Sequence, residues 1–413
     1  MSQHPRLILL TACLIGFLST VGIALPYPIL APLFMGDIAH GLTAFLDLPP
    51  KLLLGVALAV NPLGILLGSA VLGSLSDRHG RRKVMMGSLV LAVAGYGITA
   101  LALVAENYPV FVLARFATGL CEGNIAIARA IAADLHPRVE RHLAFGWMNS
   151  AIFIGWLVGP LLGGLTLPLG AGIPFWIAGG AMLPCLALLY FVLPETAPEK
   201  IVAKRSFLEV LRRENAFELL REPGIPAVFT LQLLWTLGLN AYYEFYPLWL
   251  VEHAGFDSRQ IGFTTASACV LMTATSGLLW PRFGRRLRAL SGALLAGASF
   301  TVLLALFPLV SGHGAVIIIV LAGMPIAIYG AALPVYCSER FEALGQGKVM
   351  GLLVTIFCLA NTLIALAGGV IALLDTRAVL WLGALLCGAA MVQLHRLRRE
   401  RHAPAATLAA EGR

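Results

Sequence analysis

The stretch GSLSDRHGRRK, Gly73 to Lys83, decides how this chain is read. It holds five basic side chains counting His79, one acid and two glycines. Long apolar runs, 52–72 and 84–104, lie on either side of it. A membrane-spanning helix needs about 20 mostly apolar residues. The charged knot is therefore the turn between two membrane-spanning helices.

The composition agrees. The chain has 413 residues, of which 59% are hydrophobic and only 12% charged. A soluble domain carries about 25% charged residues. The net charge of +8 is a matter of position along the chain before it is a matter of partners. The N-terminus, MSQHPRLILLTACLIGFLSTVGIALP, has the basic start and apolar core of a secretory signal. The many apolar runs that follow make Arg6 the flank of an uncleaved first span instead. Seven cysteines (Cys13, Cys121, Cys185, Cys269, Cys337, Cys358 and Cys387) fall within or at the ends of apolar runs, far apart in sequence. That spacing argues against a disulfide framework and against a zinc site, so neither a metal nor a cofactor is expected. They are expected to pack as small apolar residues.

Twelve spans are expected, at 7–33, 52–72, 84–104, 110–133, 143–166, 173–193, 226–250, 261–280, 289–310, 314–337, 349–373 and 378–395. The clearest break is the polar run from Pro194 to Pro223. It divides the chain into a six-helix bundle over 1–193, a linker over 194–224, a second six-helix bundle over 225–396 and a tail over 397–413. With both termini on the cytoplasmic side, all but five lysines and arginines are cytoplasmic. Lys51, Arg259 and Arg377 fall on outer loops, and Arg115 and Arg129 fall inside the fourth span. So strong a bias is a topology signal and leaves no case for nucleic-acid binding.

The opening stretch recurs. GLLWPRFGRRL begins at Gly277, with Gly284, Arg285 and Arg286 in register with Gly80, Arg81 and Arg82. The second copy has Pro281 where the first has Asp77. Repeated transmembrane halves are the mark of alternating-access transporters, whose site lies between them. The expected fold is an all-α polytopic membrane protein of two pseudo-symmetric six-helix bundles.

On these residues the chain resembles the major facilitator superfamily. GSLSDRHGRRK is similar to that family's signature between helices 2 and 3. Arg115 and Gly119 resemble its fourth-helix R-x-x-x-G motif. Gly155, Gly159, Pro160, Gly163 and Gly164 resemble the fifth-helix motif associated with its antiporters. Leu193 to Thr196, LPET, closes the sixth span as it often does there. The resemblance implies a gate built on Gly73, Asp77, Arg78, Gly80 and Arg81. In that gate Gly73 lets helices 2 and 11 approach, Asp77 bridges the halves, and the arginines hold Asp134 at the end of helix 4. Arg82 and Lys83 also suit a plain positive-inside anchor. The glycines of the fifth span let it kink at Pro160 and pack tightly.

Charge at membrane depth is the best functional clue, because each such group costs at least about 2.5–3.5 kcal/mol. Of the 21 acids only Glu122 and Glu244 fall inside spans. Arg115, Glu122 and Arg129 are seven residues apart, so on a continuous helix they share one face. The resemblance turns Arg115 toward the central cavity, and the spacing then turns Glu122 and Arg129 there too. A cavity glutamate that gains and loses a proton is a coupling device. A static ion pair that only packs the fourth helix is the plainer alternative. In the seventh span, LGLNAYYEFYPLWL places Asn240 one turn from Glu244. Its Tyr243 suits an organic cation or polar ring, yet its tyrosines and Trp249 equally suit an interfacial belt. Asn361 in the eleventh span is a further substrate candidate.

The resemblance runs closest to the drug and tetracycline proton antiporters, and it frays at the acids. STVGIALPYPILAP resembles their first-helix motif, but Ser19 stands where an acid is usual. The third span carries no acid, so a tetracycline metal-chelate site is not carried over, and Glu122 becomes the natural proton carrier. The expected activity is proton-coupled export of a small organic molecule, a drug or an endogenous metabolite such as a siderophore. Import or facilitated diffusion of a polar metabolite is the alternative. An intramembrane enzyme would need a cluster of His, Cys, Asp or metal ligands at membrane depth, and there is none. No G-x-x-x-x-G-K-[ST] loop is present for ATP. The expected partners are the bilayer, protons and the substrate; the chain is expected to act as a monomer in a bacterial inner membrane.

Overall fold

A computed structural model describes residues 5–36, 41–135, 137–139, 141–193, 221–222, 224–276, 289–341 and 346–400. Of Gly73, Asp77 and Arg78 it describes the backbone alone. The second copy of the signature, residues 277–287, lies outside the described residues, as do most of the linker and the tail from 401.

The described chain is helical. The first half comprises α1 (Pro5–Ala24), α2 (Tyr27–Phe34), α3 (Pro50–His79), α4 (Arg81–Val104), α5 (Tyr108–Glu122), α6 (Ile125–Asp134), α7 (Arg141–Thr166) and α8 (Ile173–Val192). The second comprises α9 (Ile225–Ala254), α10 (Ser258–Ala274), α11 (Ala289–Leu306), α12 (Gly312–Arg340), α13 (Gln346–Ile371) and α14 (Thr376–Glu400).

Two expected spans are broken. The first divides into α1 and α2 at Leu25 and Pro26, where proline supplies no N–H and disfavours helix in the residue before it. The fourth divides into α5 and α6 at Gly123 and Asn124. There a side chain on Gly123 would run into the backbone of Gly68 and Ser69 on α3, so the two helices touch main chain to main chain. Counting each broken pair as one, ten of the twelve segments are long and apolar enough to cross a membrane. The exceptions are α9, which carries Asn240, Glu244 and its tyrosines, and α10, whose described helix has 17 residues.

The packing repeats between the halves. In the first, α7 and α8 pack on α1, α5 packs on α3 and on α4, and α8 packs on α4. In the second, α13 and α14 pack on α9, α12 packs on α10 and on α11, and α14 packs on α11. Each of these pairings in one half has its counterpart in the other. The two large seams between halves, α3 with α13 and α7 with α10, are counterparts as well. Large apolar side chains such as Leu91, Leu113, Phe191, Leu295 and Leu385 stay exposed, as lipid-facing residues do. All seven cysteines are buried and unbridged.

Both seams are built on glycine. A Cβ on Gly55 of α3 would lie 2.9 Å from the Cα of Gly369 on α13. A Cβ on Gly262 of α10 would lie 3.1 Å from the Cα of Gly164 on α7. In lipid the apolar effect does not drive helices together, so close backbone approach at small residues does. The other antiporter-motif glycines face elsewhere. Gly155, Gly159 and Gly163 recur every four residues; the first two seat α7 on α1 at Thr20 and Val21, and the third seats it on the break at Leu25 and on α2. The helix α7 runs on through Pro160.

Candidate functional site

The charged knot forms the turn from α3 to α4. Gly80 holds φ 95°, a left-handed backbone that other residues adopt at a cost, which explains the glycine inside the signature. Arg81 then reaches Asp134 at the end of α6, with Nε 2.5 Å from Oδ2. Arg82 donates to the Tyr190 carbonyl at 2.6 Å and lies over the Tyr190 ring. These bonds tie the first half to itself. The expected bridge from Asp77 to the other half lies outside the described side chains.

At the opposite end of α3 the halves are joined. Lys51 pairs with Glu252 of α9 at 2.8 Å and donates to the Ala372 carbonyl beyond α13 at 2.8 Å. Thr376 donates to Glu252 at 2.6 Å. Ser258 donates to the Gly164 carbonyl at 3.2 Å. Together with the two glycine seams, these contacts close the Lys51 end.

Below this closure lies a small cavity of about 50 Å³ between the halves. Tyr27, Asn61, Arg115 and Trp156 line it from the first half, and Glu244 and Asn361 from the second. Glu244 accepts from Tyr27 Oη at 2.9 Å and from Asn361 Nδ2 at 2.9 Å, both on Oε1. The first of these bonds crosses between the halves. Trp156 extends the crossing, with its ring 5.8 Å from Tyr27 and stacked at 6.4 Å on Tyr243. Its carbonyl accepts from the Cys269 thiol of α10 at 3.3 Å.

Arg115 is 3% exposed, and its Nε and Nη1 are buried with no hydrogen-bond partner. It lies 6.0 Å from the Phe175 ring centroid. A buried donor left unmade costs about 1–3 kcal/mol, and more when charged. Among the described residues no ion pair joins it to Glu122 or to Glu244. Arg115 and Glu122 thus form no contact ion pair within α5, but Arg115 still acts on Glu122 electrostatically.

Glu122 is buried but is not among the residues lining the cavity. It sits one layer behind, held by Asn61 Nδ2 at 2.9 Å and by the Tyr96 hydroxyl, with Gly22 of α1 against it. Asn61 thus touches the cavity on one side and Glu122 on the other. It is placed there by Gly119, whose missing side chain lets α5 press on the Asn61 backbone. Asn124, in the break, accepts from Ser19 at 3.0 Å. Arg129 also lies outside the lining. The seven-residue spacing puts residues on one face only along a continuous helix; it holds from Arg115 to Glu122 within α5, and the break at Gly123 and Asn124 ends that register for Arg129.

In the seventh span the expectations separate. Glu244 and Asn361 line the cavity, whereas Asn240 and Tyr243 do not. Asn240 turns its amide to the Phe357 carbonyl of α13 at 3.4 Å and leaves Oδ1 unpartnered. Tyr242, Tyr246 and Trp249 are buried within the second half and form no interfacial belt: Tyr242 packs on Phe300 and Phe307, Trp249 on Phe307, and Tyr246 on Tyr242. Tyr27, Asn61, Tyr96 and Trp156 were not singled out from sequence. Asn61 had a signal, being an amide inside an otherwise apolar span. Tyr27 lay within the first-helix stretch already quoted.

The family model described as Major Facilitator Superfamily matches residues 12–365. The chain is 25% identical over 359 residues to the tetracycline resistance protein, class B, of Escherichia coli, covering 84% of this chain and 83% of that one. It is 27% identical over 247 residues to the quinolone resistance protein NorA of Staphylococcus aureus (strain MSSA476), covering 59% of each. Among solved structures, a D-xylose-proton symporter superposes with a TM-score of 0.72 at 18% identity, covering 94% of this chain and 96% of that one.

Proposed function

The chain belongs to the major facilitator superfamily, whose members are multi-pass membrane transporters and not enzymes, and from that premise we propose that it is a proton-coupled exporter of a small organic molecule working by alternating access. The observation that carries this reading is Glu244. This acid lies in the wall between the halves, bonded to neutral groups only, one of them on the opposite half. A carboxyl so placed can hold a proton in one state and a donor group of the substrate in the other. The two occupants then exclude each other, which is the negative coupling that antiport needs. Glu122, one layer behind Asn61, is the second proton site of this scheme.

Export is favoured by the resistance proteins among the relatives and by the fifth-helix glycine motif. The cargo is a drug or an endogenous metabolite such as a siderophore. The signature turn forms the inner gate, with Asp134 as the anchor of Arg81. The positive-inside bias puts both termini and the Gly80 end in the cytoplasm of a bacterial inner membrane, so the joined Lys51 end faces outward. The protein acts as a monomer.

The test uses inside-out vesicles with an acidic lumen and a pH-sensitive dye. Drugs, siderophores and metabolites are added one at a time to wild type, Glu244→Gln and Glu122→Gln. A compound that dissipates the gradient in wild type, but not in the glutamine variants, is the expected outcome. Silence across the panel, with the same radiolabelled compounds accumulating in intact cells, would overturn export in favour of import.

A further inference from the structure

Glu244 ends a row of four polar residues that recur every four positions along α9: Gln232, Thr236, Asn240 and Glu244. Residues four apart on a helix are neighbours along one ridge. At the Glu244 end the ridge faces α13, where Asn240 donates to the Phe357 carbonyl and Asn361 donates to Glu244. Gln232 is half-buried, and Thr236 and Asn240 are fully buried. These three do not line the cavity, so the row runs inside the second half and apart from it. Each of the three carries a buried oxygen with no hydrogen-bond partner: Gln232 Oε1, Thr236 Oγ1 and Asn240 Oδ1. A helical threonine commonly turns its hydroxyl onto the carbonyl four residues back. Thr230 of the same helix does so on Pro226, and Thr362 of α13 does so on Cys358. Thr236 forgoes that bond. Buried polar groups in folded proteins are met by protein or by bound water, and three successive groups left open by the protein are places for water.

We infer that Gln232, Thr236 and Asn240 hold a hydrated proton path that joins Glu244 to the cytoplasmic end of α9, separate from the route of the substrate. The inference rests on the proposal that Glu244 carries a coupled proton. Glu252 of α9 takes part in the outer closure, so Ile225, at the other end of this helix, begins on the cytoplasmic side. Side chains four apart on a helix stand about 5–6 Å from one another. One water spans such a gap with two hydrogen bonds of about 2.8 Å. Amides and a hydroxyl orient these waters and carry no charge of their own. When Glu244 releases its proton, its O–H bond breaks and the electron pair stays on the carboxylate. Tyr27 and Asn361 remain as donors to that carboxylate, and Arg115 acts on it electrostatically from the first half. Each water accepts one proton and passes one on, so a single proton emerges at Gln232. With the Lys51 end closed, the path serves release to the cytoplasm while the outer side is shut.

The experiment is time-resolved infrared difference spectroscopy of the purified full-length chain in lipid nanodiscs, with protons released by light from a caged acid. The carboxylic-acid band that Glu244→Gln removes belongs to Glu244, and its rise gives the rate of proton exchange. No substrate is needed. Thr236→Val exchanges the hydroxyl for a methyl and should slow that rate about fivefold or more, as should Asn240→Leu. Thr236→Ser keeps the hydroxyl and should restore most of the rate. Thr230→Val, on the exposed side of the same helix, should exchange as wild type does. The melting temperature separates a relay from packing. In a row without water the open hydroxyl only burdens the fold, so Thr236→Val would raise the melting temperature and leave the rate alone. That pair of results overturns the inference. So does a wild-type rate in Thr236→Val by itself, so a poorly folding Asn240→Leu does not decide the matter. An unslowed rate with a Glu244 band that responds removes only the path and leaves proton-coupled export standing. A Glu244 band that never responds removes the coupling role of Glu244 and the path with it.

Discussion

Tyr27 of α2 donates a 2.9 Å hydrogen bond to Glu244 of α9, so the candidate proton-binding carboxyl of the second half is held by the first. A coupling carboxyl tied across the seam senses whether the halves are together. When they part, it loses one of its two partners and its affinity for a proton or for substrate changes with the conformation.

Tyr27→Phe removes that bond and keeps the ring beside Trp156. A buried hydrogen bond contributes about 0.5–1.5 kcal/mol, and more with a charged partner, so the balance between conformations should move by about two- to tenfold. Spin labels placed at the Lys51 end of each half should report a larger separated population. An unchanged distance distribution would make the bond incidental to the movement.

Lys51 and Glu252 close the same seam at its end, with their side chains 24% and 20% exposed. Partly exposed pairs are worth little each, about 0.2–1 kcal/mol. Lys51 also holds the Ala372 carbonyl, and Thr376 holds Glu252, so this pair belongs to a small network. Lys51→Glu should slow transport severalfold by setting like charges together. The double exchange, Lys51→Glu with Glu252→Lys, should recover most of the rate. A double variant no faster than the single one would show that the charge pair is not what holds this end.

Gly164 predicts a steric result. A side chain there would meet the Ser258 carbonyl oxygen and lie 3.0 Å from the Cα of Gly262. Gly164→Val should keep α7 off α10, at a cost of about 1–3 kcal/mol for the overpacked seam, and reduce transport at least tenfold. Gly180 of α8 has no atom within 4 Å of its would-be Cβ, so Gly180→Val is the matched control and should transport normally. Equal rates in the two variants would mean the seam between α7 and α10 does not need its close contact.

The division between what was legible in the sequence and what was not follows from the physics of each signal. Spans, halves and the signature turn were legible because a bilayer demands long apolar runs and punishes charge within them. Glu244 was legible for the same reason. The setting of Glu122 was not, since the bonds from Asn61 and Tyr96 that hold it behind the cavity wall are long-range, and the register to Arg129 was lost at Gly123, whose contact with α3 is long-range as well. The aromatics of α9 misled because tyrosine and tryptophan suit both an interface and a core. The burial of Tyr242 at 3% and Trp249 at 1% is decided by Phe300 and Phe307, more than 50 residues on. Asn61 was passed over because one amide in an apolar span has no spacing to mark it.

Asn61 supplies the sharpest test of how Glu122 is used. Its amide donates to Glu122 Oε2 at 2.9 Å and, at 3.3 Å, to the Arg115 carbonyl, while the residue itself lines the cavity. If Glu122 exchanges protons with the cavity, Asn61 is the group they pass. Asn61→Leu keeps the volume and removes the contact, so proton release in vesicles should fall about fivefold or more, the loss expected for stripping a hydrogen bond from a buried charged group. Substrate binding measured without a gradient should change far less. Tyr96→Phe removes the other donor to Glu122, on the side away from the cavity, and should leave more of the coupled rate than Asn61→Leu does. Wild-type coupling in Asn61→Leu with a dead Glu122→Gln would mean that Glu122 is loaded from another direction. Wild-type coupling in both would reduce Glu122 to an acid that holds α3, α4 and α5 together, and would leave Glu244 to couple transport alone.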